Sequence, residues 1–261
     1  MGTPILNTED ILVFTFVFLR ISAILALIPV MGETAVPIRV KAGLALLIAL
    51  LVFPSIRMDI PSLQADAEIV AVVLAMMGEV LIGVIIGFAA RIIFAGIRFA
   101  GNMVGLQMGL SIANIFDPVS STQVSIMEEI QYLAAMLVYL AVDAHHLFIR
   151  AIVDSYRFVT PFGFHFSESL MQFILLFSKG LFVTAVKISA PVMAVLLFSN
   201  VALGVVARTV PQINVFIVGM PLQIATGLIV LGLTIPVFVS AIQRLLNSLN
   251  ADVQVLLRLM Q

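Results

Sequence analysis

The sequence contains no cysteine. Disulfides, cysteine-ligated zinc and thiol nucleophiles are therefore excluded, and the redox compartment stays open. Charge is scarce as well: Asp, Glu, Lys and Arg make up 10% of the 261 residues, against roughly 25% in a soluble domain. The 13 Lys/Arg and 14 Asp/Glu leave a net charge of −1, so no electrostatic footprint for nucleic acid or an acidic partner exists. Linkers, low-complexity tracts and stretches of soluble-domain composition are missing too, which makes one helical domain the expected organisation. The residues ahead of the first apolar run carry Glu9 and Asp10 but no Lys or Arg, so a cleavable signal peptide is not expected.

What remains is hydrocarbon. Apolar residues are 62% of the chain and mean hydropathy is +1.21, which excludes a soluble globular enzyme. The pattern predicts an all-α integral membrane protein, or a chain that buries an equivalent apolar surface in partners. A bilayer span needs about 20 mostly apolar residues. That length predicts helices near 10–31, 36–57, 127–150, 168–206 and 213–246, plus a run from about 66 to 99 that is too long for one upright span. Residues 244–261 read as an amphipathic helical tail. Six alternating spans place Arg57, Arg150, Arg157, Arg244 and Arg258 on one side and Arg39, Lys41, Arg98 and Arg208 on the other. Five against four sets no orientation, a first strain on the simple six-span picture.

Two segments read as long irregular loops, residues 101–124 and 154–167. Irregular backbone beside apolar spans must be buried in protein or line a water-filled path. Gly101, Gly105 and Gly109 recur every four residues and form one stripe on a helix, fitting a close helix contact or a hinge. The apolar loop behind them (Leu110, Ile112, Ile115, Phe116) fits either an obstruction in a channel or a buried connector.

Glu79 stands alone in the apolar run 69–90, followed by the GxxxG pair Gly83 and Gly87. An unpaired carboxylate in hydrocarbon is costly, so an ion-pair partner is expected: Arg91 or Arg98 on the same helix, or a lysine on a neighbour. Proton-coupled transport is the less ordinary reading. Lys179 and Lys187, eight residues apart, are expected on one face of the fifth helix, turned to protein or water and buried from lipid. His145 and His146, preceded by Asp143, are residue types that serve in catalytic and metal-binding sites. Adjacent histidines diverge by about 100° on a helix, and the i, i+4 pair of HExxH is absent, so a helix-terminal pair at an interface is expected, with no metal and no cofactor. Gly109–Leu110–Ser111 with a downstream His faintly suggests an intramembrane serine protease, on a very short motif. Pro191, Pro221 and Pro236 interrupt apolar helices, as in secondary transporters, yet the two halves show no matching repeat.

The densest constellation is ARTVPQINVFIVGMPLQ (207–223), a rigid cap between the last two helices with no base, nucleophile or ligand set. With AGNMVGLQMGLSIANIFDP (100–118), AHH (144–146), SYRFVTP (155–161) and APVMAVLL (190–197) in that order, the chain resembles over its whole length the FliR family of flagellar biosynthetic proteins and its virulence type III secretion relatives. The motif residues are Arg208, Pro211, Gln212, Asn214, Phe216, Gly219 and Pro221. The resemblance implies a non-enzymatic subunit of a type III export gate, built with several copies of FliP and of FliQ around a channel for unfolded chains. FlhB is expected to wrap that core, with FlhA below it. It implies a FliP-like part over about residues 1–185 and a FliQ-like helical hairpin over about 186–261. The implied location is the bacterial inner membrane at the flagellar basal body, with the core raised toward the periplasmic side. It further implies that Leu110, Ser111, Ile112, Ala113, Asn114, Ile115 and Phe116 form a channel plug, with Gly105 and Gly109 as its hinges.

Overall fold

The computed structural model describes residues 8–56, 69–110, 125–161, 163–212 and 214–261. Among these residues the fold is all-α and contains seven helices: α1 (Thr8–Leu27), α2 (Ile38–Ile56), α3 (Ile69–Gln107), α4 (Ile126–Ala141), α5 (His145–Phe158), α6 (Glu168–Thr209) and α7 (Val215–Leu259). Five of them are long and apolar enough to cross a membrane, and α4 with α5 together make a sixth candidate.

The irregular loop expected from residue 101 begins later, because α3 runs on to Gln107 and carries Gly101 and Gly105 as helical residues. The single span expected over 127–150 is broken at residues 142–144, where Asp143 adopts a left-handed φ of 53°. That conformation ends a helix, and Asp is one of the few residues that enters it at modest cost. The last span and its tail are one continuous helix of 45 residues. If straight, α3, α6 and α7 measure about 58, 63 and 68 Å at 1.5 Å per residue, roughly twice the 30 Å of a hydrocarbon core. Much of their apolar surface therefore lies beyond lipid or against protein.

Contacts divide the chain into two compact units that do not follow sequence order. Unit 1 holds residues 1–91, 143–177 and 247–261, and unit 2 holds 92–142 and 178–246. The boundary expected near residue 185 falls inside α6.

Within unit 1, α1 buries Val13, Phe16, Val17, Ile21, Ile24 and Leu25, the spacing of one helix face. α2 contributes little to this core, burying only Ala45, Ala49 and Ile56, while Leu46, Leu47, Leu50 and Leu51 stay exposed. The end of α7 buries Leu249, Val253, Leu256, Leu257 and Met260. It is stitched down by His165 N–H to the Met260 carbonyl (3.0 Å), Ser167 Oγ to the Leu259 carbonyl (3.0 Å) and Gln261 Nε2 to the Phe158 carbonyl (2.7 Å).

Within unit 2, Val104, Met108, Met127, Val192 and Leu196 form a core cluster. Phe94 meets the rings of Tyr132 and Tyr139 edge-on, at 5.9 and 5.7 Å. α6 and α7 run as an antiparallel hairpin: Asn200 bonds Gln223, and the midpoint of that pair falls in the 210–214 turn. The outer face of α7 is apolar and uncovered from Ile217 through Val237.

Candidate functional site

Two places in the molecule bring together the residues singled out by sequence. The first, in unit 1, surrounds Glu79. Its partner is neither Arg91, Arg98 nor a lysine but Arg20, at the centre of α1. Both charges are sequestered, at 0% and 1% exposure. The contact is bidentate, with Nε to Oε2 at 2.6 Å and Nη2 to Oε1 at 3.0 Å, the geometry in which a guanidinium best repays its desolvation. The remaining nitrogen, Nη1, donates to the Ser155 carbonyl (2.9 Å), the Ser155 hydroxyl (3.3 Å) and the Val159 carbonyl (3.0 Å). Those carbonyls sit at the C-terminal end of α5, where the dipole favours a cation; the Ser155 carbonyl also accepts from the Val159 N–H at 2.9 Å. The Tyr156 ring lies under the guanidinium at 4.1 Å, and its hydroxyl donates to the Val17 carbonyl at 3.1 Å. Arg20 thus ties α1, α3 and α5 at one point, and three residues of the SYRFVTP run, Ser155, Tyr156 and Val159, contact it.

Small residues let the helices come that close. A Cβ on Gly83 would lie 2.6 Å from the Ala23 Cβ and 2.7 Å from the Arg20 carbonyl oxygen. One turn on, a Cβ on Gly87 would press on the Leu27 side chain. The sequence did hold a signal for this site: Arg20 and Glu79 are each a lone charge deep in an apolar run, and two such charges of opposite sign call for each other.

The second place, in unit 2, is the base of the 110–116 segment. Leu110 packs on the core cluster, while Ser111, Ile112, Ala113, Asn114, Ile115 and Phe116 lie outside the described residues. Ser125, just ahead of α4, is buried against Gly105. Gly101 extends the contact: its Cβ would stand 2.6 Å from the Glu128 Cα and 2.8 Å from the Met127 carbonyl oxygen. Of the two glycines expected as hinges, Gly105 is a packing position inside α3. Gly109 has the left-handed backbone, at φ 79°, just past the helix end. There glycine costs least. A polar patch edges this base. Arg98 lies over the Tyr132 ring at 3.8 Å and 3.9 Å from a Glu128 oxygen, and Asn102 Nδ2 donates to Glu128 at 3.4 Å.

The other expected residues are spread out. Lys179 and Lys187 are exposed, which corrects their expected burial. Lys187 stands two residues from both Ala185 and Ser189, the buried stripe of α6, and so points to the opposite side of the helix. Arg208, Pro211, Gln212 and Pro221 are exposed and Gly219 is buried. Asn214 caps α7 through Ile217 N–H to its Oδ1 at 3.4 Å. Phe216 falls in the first turn of α7. Sequence reasoning passed over Asn200 and Met108–Gly227, both contacts of unit 2.

At the α4–α5 corner, the His145 and His146 rings are 4.2 Å apart, contrary to the divergence expected of neighbours on a helix, because the helix is only starting there. Donor atoms of Asp143, His145 and His146 fall within 4.8 Å of one another. Among the described residues no fourth such ligand joins them, and Asp143 is 71% exposed, which is short of the closed ligand set of a structural metal site.

The model of a family described as bacterial export proteins, family 1, matches residues 11–249. The chain is similar to the flagellar biosynthetic protein FliR of Bacillus subtilis (strain 168), 38% identical over 221 residues that cover 84% of each chain. It is similar to the FliR of Pectobacterium carotovorum subsp. carotovorum, 34% identical with 85% of this chain and 84% of that one covered. The FliR of Escherichia coli (strain K12) is 32% identical, with 88% and 87% covered.

Proposed function

The chain belongs to the bacterial export proteins, family 1, and we propose that it acts in flagellar biosynthesis as a structural and gating subunit of the flagellar type III export channel. In this reading it forms the core gate with several copies of FliP and FliQ, touches FlhB and FlhA, and passes unfolded flagellar proteins without making or breaking bonds. Residues 1–185 form its FliP-like part and 186–261 its FliQ-like hairpin. Its place is the inner membrane at the basal body, with the core raised toward the periplasm. Helices twice as long as lipid is thick, with apolar side chains exposed along them, support a surface that meets other subunits as well as acyl chains.

The observation that carries the gating role is the base of the 110–116 segment. Its entry is held: the Met108 N–H bonds the Val104 carbonyl of α3, Gly109 takes a left-handed backbone, and Leu110 packs on the core cluster. A segment held so can be an apolar stopper without drifting away. A closed export channel must stop ions without binding them tightly, and side chains such as Ile112, Ile115 and Phe116 do that by excluding water.

Deleting residues 110–116 is expected to make cells leak small ions while FliP and FliQ still co-purify with the chain. Unchanged permeability in an assembled deletion complex would remove the plug from this account. Expressed without FliP, the chain is expected to be degraded. A monodisperse folded monomer in detergent would argue against a subunit.

A further inference from the structure

We propose that the outward stripe of α6 around Lys179 and Lys187 is the docking surface for an apolar helix of another export-gate subunit, one whose Asp or Glu side chains meet the two amines. The inference rests on reading the chain as a subunit of such a gate and adds the chemistry of one neighbour.

α6 turns Ala185, Ser189, Val192 and Leu196 inward. Lys179, Val183, Val186, Lys187 and Ala190 are exposed, and their steps of three and four residues put them on the other side of the helix as one stripe. The two lysines stem from points about 12 Å apart along the axis, with the two valines between them. Among the described residues neither lysine has a hydrogen bond or an ion pair.

Lipid alone or water alone leaves part of this stripe unsatisfied. In hydrocarbon, two ammonium groups on one helix side are costly and call for counter-charges. In water, Val183 and Val186, at 43% and 53% exposure, are uncovered, and so is the continuation of the stripe through Leu197, Phe198, Val201 and Val205. An apolar stripe of that length marks a protein contact. An apolar helix that carries carboxylates covers the valines and neutralises the lysines at once.

Gly180 supports the same reading. A Cβ there would meet nothing within 4 Å, so no contact among the described residues asks for a glycine. Glycine inside a helix costs stability, and the close approach of a neighbouring helix gives it a use. The neighbour is a different chain: the exposed apolar stretches of this one, Ile38–Ile56 and residues 217–237, contain no Asp or Glu, and Glu79 is taken by Arg20.

The test uses the full chain co-expressed with FliP and FliQ, with co-purification as the readout. Lys179→Met/Lys187→Met keeps the bulk of the stripe and removes its charge. It is expected to lower co-purification about tenfold, because the partner's carboxylates are left buried without counter-charges. Lys179→Arg/Lys187→Arg keeps the charge and is expected to stay within about twofold of the parent. A methionine variant that co-purifies as well as the parent, as lipid over this stripe would give, or an equal loss in the arginine variant, would overturn the surface. Should the methionine variant not accumulate in membranes, the parent complex is treated instead with a carbodiimide, which joins an amine to a carboxylate in contact with it. Peptide mass spectrometry is expected to find Lys179 or Lys187 joined to an Asp or Glu of FliP or FliQ. No such link in an assembled complex, or a link to a second copy of this chain, would overturn the proposal. A parent chain that itself brings down neither FliP nor FliQ would instead overturn the subunit reading on which the surface depends.

Discussion

The two units share close helix approaches at glycines and differ in what they add to them. Unit 1 converges on one buried ion pair, where Arg20 makes five hydrogen bonds to Glu79, Ser155 and Val159. Unit 2 relies on absent side chains: glycines at 96, 101, 105 and 227 let a backbone, a serine or a methionine lie against the helix. A buried bidentate pair is directional and close to all-or-none, because half of it is worse than none. Apolar packing against a glycine is graded, because the cost of filling it depends on how far the neighbour must shift. Unit 1 is locked at one point, and unit 2, from which the proposed plug would start, is held by packing whose loss is graded.

The largest effect expected from breaking this difference is in unit 1. Glu79→Leu leaves a guanidinium buried without its counter-charge and is expected to cost roughly 3–5 kcal/mol, seen as loss of the chain from membranes and a lowered melting temperature in detergent. Arg20→Met with Glu79→Leu removes both charges and is expected to recover most of that loss. If Glu79→Leu melts with the parent, the lock is not the ion pair.

Glycine substitutions come next and sharpen the contrast, because the same change is read in each unit. Gly83→Ala would set a Cβ 2.6 Å from Ala23, and Gly101→Ala would set one 2.6 Å from the Glu128 Cα. Each is expected to cost roughly 1–3 kcal/mol by overpacking, measured by thermal unfolding. If residues 110–116 act as the proposed plug, the two part in function: Gly101→Ala is expected to displace its base and raise ion permeability, and Gly83→Ala to lower stability with the channel still tight. Equal leak from both would erase the functional difference between the units.

Legibility in the sequence followed the same divide. Helix content, the over-long third helix and the small-residue approach at Gly83 and Gly87 came from composition and spacing, which are local properties. The partner of Glu79 did not, because Arg20 is 59 residues away on another helix, and spacing along one helix carries no information about such a residue. The burial expected for Lys179 and Lys187 failed because their spacing places them on one helix face and does not say which face is covered. Met108 and Gly227 were invisible as a pair, since a methionine among 13 and a glycine among 16 carry no mark of each other. The break at Asp143 turned on a single left-handed residue, which hydropathy averages over.

The smallest effect is expected at the polar contact of unit 2, where Gln223 Nε2 donates to Asn200 Oδ1 across the α6–α7 hairpin. Both groups are half-buried and neutral, and such bonds between apolar helices average about 0.6 kcal/mol in double-mutant cycles. The hairpin keeps Val192 and Leu196 against Ile224 and Val230 in any case. Gln223→Leu is expected to lower the melting temperature slightly, because Asn200 loses its partner, and Asn200→Leu with Gln223→Leu to return close to the parent. The coupling energy from that cycle should be several-fold below that of Arg20 with Glu79, since one neutral hydrogen bond replaces two charge-assisted ones. A coupling of equal size would mean that unit 2 is pinned by a polar lock of its own, and its glycine-lined base would then have no freedom for a plug to use.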